Sequence, residues 1–171
     1  MLKHNYIKFS LIAGLICSLL ILLYFFTFYF LDKSPLLHMS TYDLLIVLLS
    51  IGLAMGIYRD KWNAGKLTFR EALIIGLVTN LAGTFLSTVA IYIFIAFIDT
   101  QVLSRHIADL NDVLLESKQQ LNESFGRDTY VNTLKSISAT TSLDVAIDIF
   151  VKKFLVCFLA TGFIAAILRK N

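Results

Sequence analysis

The carboxylate of Glu71 stands at the beginning of a long apolar run, residues 72–98, where it could bind an ion, take part in catalysis or start a helix. Thr68 precedes it by three residues, which is the S/T-x-x-E spacing of a capping box. In that motif the threonine hydroxyl accepts a hydrogen bond from the N–H of the glutamate, and the carboxylate accepts one from the N–H of the threonine. Because unpaired N–H groups near lipid are costly, helix initiation explains the carboxylate without a substrate.

A second set of polar and small side chains recurs every three or four residues within the same run, so its members share one helix face. These residues are Gly76, Asn80, Gly83, Thr84, Ser87 and Thr88. They could line a polar path, or they could form a seam that lets helices approach closely. Similar stripes occur in the other apolar runs: Ser10, Gly14 and Ser18; Gly52 and Gly56; Gly162 and Ala166. Packing is therefore the simpler interpretation, with Asn80 as the candidate exception because a buried amide must find partners.

Other residues that often support catalysis or metal binding are scattered along the chain. His4, His38 and His106 show no ligand spacing, and Cys17 and Cys157 lie singly inside apolar runs. We expect no charged side chain in the interior of any apolar run, which argues against proton-coupled transport by a single chain. The sequence thus predicts a protein that is not an enzyme, with no catalytic, cofactor-binding or metal-binding residues and no cofactor.

The elements that carry these residues are membrane helices. The chain has 171 residues, of which 57% are hydrophobic, against about 45–50% in soluble domains. The excess lies in four runs, and we predict transmembrane spans at approximately 9–31, 42–58, 70–98 and 150–168 within a single membrane domain, 1–171. The first run is too long for a signal peptide. The last helix is expected to begin near Leu143 and to extend over about 27 residues.

The distribution of basic residues predicts the orientation of the four spans. One face would carry Lys3, Lys8, Arg59, Lys61, Lys66, Arg70, Arg169 and Lys170. The first loop at the other face carries only Lys33. By the positive-inside rule both termini and the loop of residues 59–70 are cytoplasmic. The segment 99–149 is then extracytoplasmic.

That extracytoplasmic segment has its own helical pattern. Apolar residues recur at intervals of three or four: Leu103, Ile107, Leu110, Leu114, Leu121 and Phe125. The pattern predicts one helix of about 25 residues that ends at Gly126, with its apolar stripe buried. A weaker pattern from Tyr130 to Ile137 stops at the sequence SATTS. After it, Asp148 and Lys152 have the i,i+4 spacing that supports a helix. The fold class predicted is an all-α membrane protein, with four transmembrane helices and a helical extracytoplasmic excursion between helices 3 and 4.

Three stretches in this order resemble a known family. They are GKLTFREALIIG at 65–76, YIFIAFID at 92–99 and LDVAIDIFVKKFLVCFLATGFIAAILRK at 143–170. Together they resemble a bacterial four-helix membrane family, domain-of-unknown-function family 4199. Members of that family often have Asn-Pro where this chain has Ile98-Asp99. The resemblance implies the four-helix fold but no activity, so it assigns no catalytic residue.

The sequence favours a non-enzymatic integral protein of the bacterial inner membrane that acts as a subunit or accessory factor through protein partners. Its expected partners are the lipid bilayer and either other membrane protein subunits or further copies of itself. Nucleic acid is not expected, because the net charge is only +3. The alternative is a small oligomeric transporter or channel whose path is lined by the polar stripe around Asn80 and Thr84.

Overall fold

The computed structural model describes residues 5–31, 33–118 and 127–170. Six α-helices follow one another: α1 (Asn5–Phe30), α2 (Pro35–Ile57), α3 (Phe69–Ile93), α4 (Gln101–Glu116), α5 (Arg127–Ser138) and α6 (Ser142–Leu168). Short π-helical segments extend α2 over Tyr58–Trp62 and α3 over Phe94–Ile98. Within these ranges there is no β-strand, only an isolated antiparallel bridge between Leu67 and Lys170. The all-α prediction is confirmed.

Four helical stretches are long and apolar enough to cross a membrane: Tyr6–Phe30, Tyr42–Trp62, Phe69–Ile98 and Ser142–Leu168. The third of these has the most extensive contacts with the other three and is therefore the central helix of the bundle. Many large apolar side chains on the four stretches point outward, among them Leu23, Leu49 and Leu159. Such exposure suits hydrocarbon rather than water, because an unpaired apolar surface of this extent is rare on soluble monomers. The four-helix membrane fold is thus confirmed at the level of helix length and composition.

Two helix boundaries need comment. The second helix begins at Pro35, well before the predicted span of 42–58, because proline fits the first turn of a helix, where its missing N–H is not needed. The last helix covers 27 residues from Ser142, as the sequence predicted. Its start is fixed by a second capping box, formed by Thr141 and Asp144, which the sequence analysis did not identify.

The first turns of α1 and the described residues that follow α6 lie at the same end of the bundle as the loop between α2 and α3. The Phe9 ring lies 5.7 Å from the Tyr58 ring and 5.9 Å from the Trp62 ring, measured between centroids. Leu67 and Lys170 exchange two backbone hydrogen bonds of 2.7 and 2.8 Å. Lys8, the basic residues of the loop, Arg169 and Lys170 are therefore clustered at one end, which we call the termini end.

The opposite end carries α4, α5 and the beginning of α6, which together we call the head. The Tyr29 hydroxyl donates a 2.9 Å hydrogen bond to Asp99, and Asp99 also accepts from the Gln101 N–H at 3.0 Å. Phe25 and Phe94 pack edge to face beneath this contact. The end of α1 is thereby fixed against the turn that leads into the head.

The head differs from its prediction in helix length. Its first helix ends at Glu116, whereas the sequence predicted about 25 residues. The backbone of Ser117 leaves helical geometry, with φ −87° and ψ 2°, and serine is a weak helix former. The apolar stripe is otherwise confirmed, since Leu114 is buried and Ile107 and Leu110 are half-buried. Leu121, Phe125 and Gly126 lie outside the described residues.

Candidate functional site

The polar stripe of α3 is buried inside a single chain. Its six residues, Gly76, Asn80, Gly83, Thr84, Ser87 and Thr88, all belong to the buried face of the helix. The Asn80 side chain donates a 3.2 Å hydrogen bond to the Phe154 carbonyl of α6, and the Thr84 hydroxyl donates a 2.7 Å bond to the Asn80 carbonyl. The first bond joins α3 to α6 and the second lies within α3, whereas Asn80 Oδ1 and Thr88 Oγ1 are buried without a hydrogen-bond partner. Because the stripe is buried between helices of one chain, the arrangement favours a packing seam over a polar path.

The glycines of these stripes divide into two groups according to the space that a side chain would have. A Cβ placed on Gly14 of α1 would lie 2.6 Å from the Ala82 Cβ and 3.1 Å from the Gly83 nitrogen, so this site requires the absence of a side chain. A Cβ on Gly52, Gly56 or Gly162 would meet nothing within 4 Å. Within the chain, the small residues of α1 and α3 therefore allow these two helices to pack closely. The glycines of α2 and α6 have no such neighbour.

Two charged side chains near the ends of predicted spans are buried inside the bundle. Asp43 of α2 and Lys153 of α6 form an ion pair with an N–O distance of 2.5 Å, and their side chains are 0% and 4% exposed. Among the described side chains, no third one forms a hydrogen bond with either group. A buried charge requires a partner because the desolvation of a lone ion costs several kcal/mol. This pair therefore ties α2 to α6 across the bundle.

The periodicity of α6 explains why Lys153 is buried and its neighbour is not. Lys153, Cys157, Thr161 and Ala165 are all buried and are spaced by four residues, so they occupy one inward helix face. Lys152 lies one position away, is 68% exposed and pairs with Asp148 at 2.6 Å, which is the predicted i,i+4 contact. The signal was available in the sequence, because Lys153 continues the apolar register of the helix. It is easily overlooked, because lysines near the end of a span commonly extend to the lipid headgroups.

The ion pair lies near one boundary of the apolar layer. Asp43 is the second residue of the stretch Tyr42–Trp62, and Lys153 precedes the end of its helix, Leu168, by 15 residues. At 1.5 Å per residue these positions are about 20–30 Å from the termini end, against a hydrocarbon thickness of about 30 Å. The pair is therefore close to the head side of the membrane, where polar groups can meet it.

A cavity of about 570 Å³ opens above the ion pair, between the head and the bundle. Asp43 and Lys153 contribute to its lining together with His106 of α4 and with Asp144, Asp148 and Lys152 of α6. Apolar side chains complete it: Leu36, Leu44, Leu110, Val145, Ile149 and Val156. The cavity thus combines a charged floor and rim with apolar walls, a composition typical of small-molecule sites.

His106 is the histidine that the structure brings to this cavity. Burial lowers the pKa of His106, because desolvation disfavours the imidazolium; the Asp109 and Asp148 carboxylates oppose this effect, and the Lys152 ammonium adds to it. The Nδ1 atom of His106 is buried and has no hydrogen-bond partner. The side chains of His4 and His38 lie outside the described part of the chain. In that part no group of three or more His, Cys, Asp or Glu residues has metal-binding geometry.

The capping box predicted at the start of α3 is present. The Glu71 carboxylate accepts hydrogen bonds from the Thr68 N–H at 3.1 Å and from the Thr68 hydroxyl at 2.8 Å, while the Glu71 N–H donates to the hydroxyl at 3.3 Å. The role of Glu71 in starting a helix is thus confirmed. Cys17 and Cys157 are buried free thiols, as expected for small apolar side chains inside the bundle.

Comparison with known proteins identifies a family. No curated protein and no solved structure matches the chain. One family matches, with the description "Protein of unknown function (DUF4199)", and the match covers residues 8–170, which include all four membrane helices and the cavity. The resemblance drawn from the three sequence stretches is therefore confirmed, and the chain belongs to the DUF4199 family.

Proposed function

We propose that this protein is a non-enzymatic integral protein of the bacterial inner membrane, which acts as a subunit or accessory factor through a protein partner. The observation that supports this proposal is an exposed stretch at the end of α4, Asp112, Val113, Leu115 and Glu116, which we call the α4 patch; Val113 and Leu115 lie on either side of its acidic face, because residues two apart do not share a helix face. Val113 and Leu115 are 48% and 54% exposed. Large apolar side chains outside the membrane spans are expected to be covered in the working state.

The charge of α4 indicates which surface would cover the patch. The charged side chains of α4 are mostly acidic. The helix carries one arginine, Arg105, and three acids, Asp109, Asp112 and Glu116. Helices that lie on membrane surfaces are instead rich in lysine and arginine, because the lipid surface is anionic. An acidic helix with exposed valine and leucine is better matched by a protein segment that presents basic and apolar residues.

The orientation belongs to the same proposal. The basic residues at the termini end favour a cytoplasmic position for both termini, by the positive-inside rule. The head with its α4 patch would then face the extracytoplasmic side. A partner would be another membrane subunit with an extracytoplasmic segment, or a protein of that compartment.

The transport alternative has less support. A path at an oligomer interface requires the Asn80 and Thr84 side chains to reach the outside of one chain. Both are fully buried and hydrogen-bonded to backbone carbonyls within it. Opening a path along α3 would require the central helix to separate from its neighbours.

The proposal can be tested by isolating the protein from its native membrane in a mild detergent. We expect a foreign subunit in fixed stoichiometry, which is lost when Asp112→Lys and Leu115→Lys are combined. Ser104→Lys is the matched control, because Ser104 is exposed on the same helix away from the patch. A homo-oligomer that contains no foreign subunit and conducts a solute in vesicles would overturn the proposal in favour of transport.

A further inference from the structure

Several polar groups that line the cavity between the head and the bundle are buried without a hydrogen-bond partner. They are the Asp43 carboxylate oxygens, Lys153 Nζ and His106 Nδ1, apart from the ion-pair contact of Asp43 with Lys153. Unpartnered buried polar groups are uncommon in folded proteins and indicate that water or a ligand completes the site. Because Lys153 is already paired with Asp43, a ligand that donates hydrogen bonds can complete the second Asp43 oxygen and His106 Nδ1.

The charges of the lining lead to the same conclusion. Among the described residues of the lining, three carboxylates, from Asp43, Asp144 and Asp148, face two ammonium groups, from Lys152 and Lys153. With His106 neutral, one negative charge is left over among these residues. The pair of Asp148 with Lys152 is exposed, and exposed i,i+4 pairs are weak, so a ligand cation can displace Lys152.

The rest of the lining is suited to an apolar body. Leu44, Leu110 and Ile149 form walls, and Val156 is partly exposed on the lipid-facing surface of α6. The cavity therefore leads from the charged floor towards the side of the bundle that contacts lipid. A molecule with a cationic group at one end and a hydrocarbon portion at the other would match both parts.

We infer that this cavity is a binding site for an amphipathic cation, namely an ammonium group carried on an apolar chain. The ammonium group pairs with Asp148 and donates to His106, and the chain lies along the apolar walls towards Val156. The same chemistry is offered by a soluble alkylamine and by a lipid with a primary amine in its headgroup. The inference does not depend on the α4 patch, whose exposed residues do not line the cavity.

The test uses the full chain with ¹³C-labelled histidine and three probes of equal chain length: hexylammonium, hexanol and hexanoate. The His106 resonance is assigned with His106→Gln, and its shift is followed as each probe is added. We expect saturable binding of hexylammonium that hexanol and hexanoate do not reproduce. Equal responses to all three probes, or no saturable response, would overturn the inference and leave a cavity filled by water.

Two further arms define the site and the source of the ligand. Asp148→Asn is expected to weaken hexylammonium binding roughly tenfold, as for the loss of one charged hydrogen bond, whereas Asp128→Asn, an exposed acid on α5, leaves it unchanged. Equal effects of the two variants would contradict the assigned site. In phosphatidylcholine nanodiscs, added phosphatidylethanolamine should block hexylammonium if the natural ligand is a lipid, and should leave its binding unchanged if the ligand is soluble.

Discussion

The size of an individual side chain is restricted most strongly at positions where two helices are in contact. At Gly14 the backbone of α3 leaves no room for a methyl group, because the Ala82 Cβ and the Gly83 nitrogen lie within contact distance of the added atom. Gly52 has the same helical setting on α2 but no neighbour within 4 Å. Gly52 is therefore a matched control for substitutions at Gly14.

We predict that Gly14→Ala destabilises the protein by about 1–3 kcal/mol, as expected for overpacking at a site where backbone would have to shift. Gly52→Ala should be neutral, because the added methyl group meets open space. The free energy of unfolding in detergent measures both. If the two substitutions had the same effect, the close contact between α1 and α3 would be wrong.

The second residue-scale prediction concerns His106 and pH. Burial holds the pKa of His106 below its ordinary value, so the unfolded chain takes up a proton at a higher pH than the folded chain does. The free energy of unfolding should therefore fall as the pH is lowered from about 7 through about 6.5, until the folded-state pKa is reached. Asp109, Asp148 and Lys152 are the charged groups that modify this pKa.

Thermal unfolding between pH 7.5 and 5 measures this effect, with His106→Gln as the control. The loss of stability over that range should be smaller in the variant, because the carboxylates and the other histidines are unchanged. A wild-type protein that gained stability from protonation in this window would show that His106 is charged and paired when folded.

At the scale of elements, the first residues of helices could be predicted from the sequence more readily than the last residues. The box formed by Thr68 and Glu71 is a local pattern, and local patterns can be recognised without knowing the fold. The start of α6 followed from the apolar register, although its own box at Thr141 and Asp144 was missed. The end of α4 at Glu116 could not be foreseen, because the apolar spacing of the sequence continues beyond it.

The capping box gives a prediction for α3. Thr68→Ala and Glu71→Ala should each destabilise by about 1 kcal/mol, and together by less than the sum, because both remove the same motif. Glu71→Gln should be nearly silent, since glutamine can also accept from the Thr68 N–H. Unfolding measurements on the four variants check this. Lost complex formation in Glu71→Gln with unchanged stability would instead show that the charge has a function.

For the whole molecule, the four-helix layout was predictable because it depends on long apolar runs, but the site was not. Asp43 and Lys153 are far apart in the sequence, and each lies near the end of a predicted span, where charges are common. Only the register of α6 indicated that Lys153 faces inward. Their pairing requires the crossing of α2 and α6, which no local pattern specifies.

The orientation of the molecule gives the next prediction. A reporter fused after Asn171 should be cytoplasmic, and one inserted at Thr129, an exposed residue of α5, should be exported. The physical reason is the cluster of lysine and arginine residues at the termini end. A cytoplasmic reporter at Thr129 would show that the head faces the cytoplasm, and the partner would then have to be sought on that side.

The Asp43–Lys153 ion pair is the feature on which both the cavity floor and the link between α2 and α6 depend. Its most direct test is a double-mutant cycle with Asp43→Leu, Lys153→Met and the combined variant, measured as free energies of unfolding in detergent. Each single change leaves one buried charge without its partner and should cost about 3–5 kcal/mol, whereas the combined variant should be more stable than either. Small losses that simply add would contradict the buried pair.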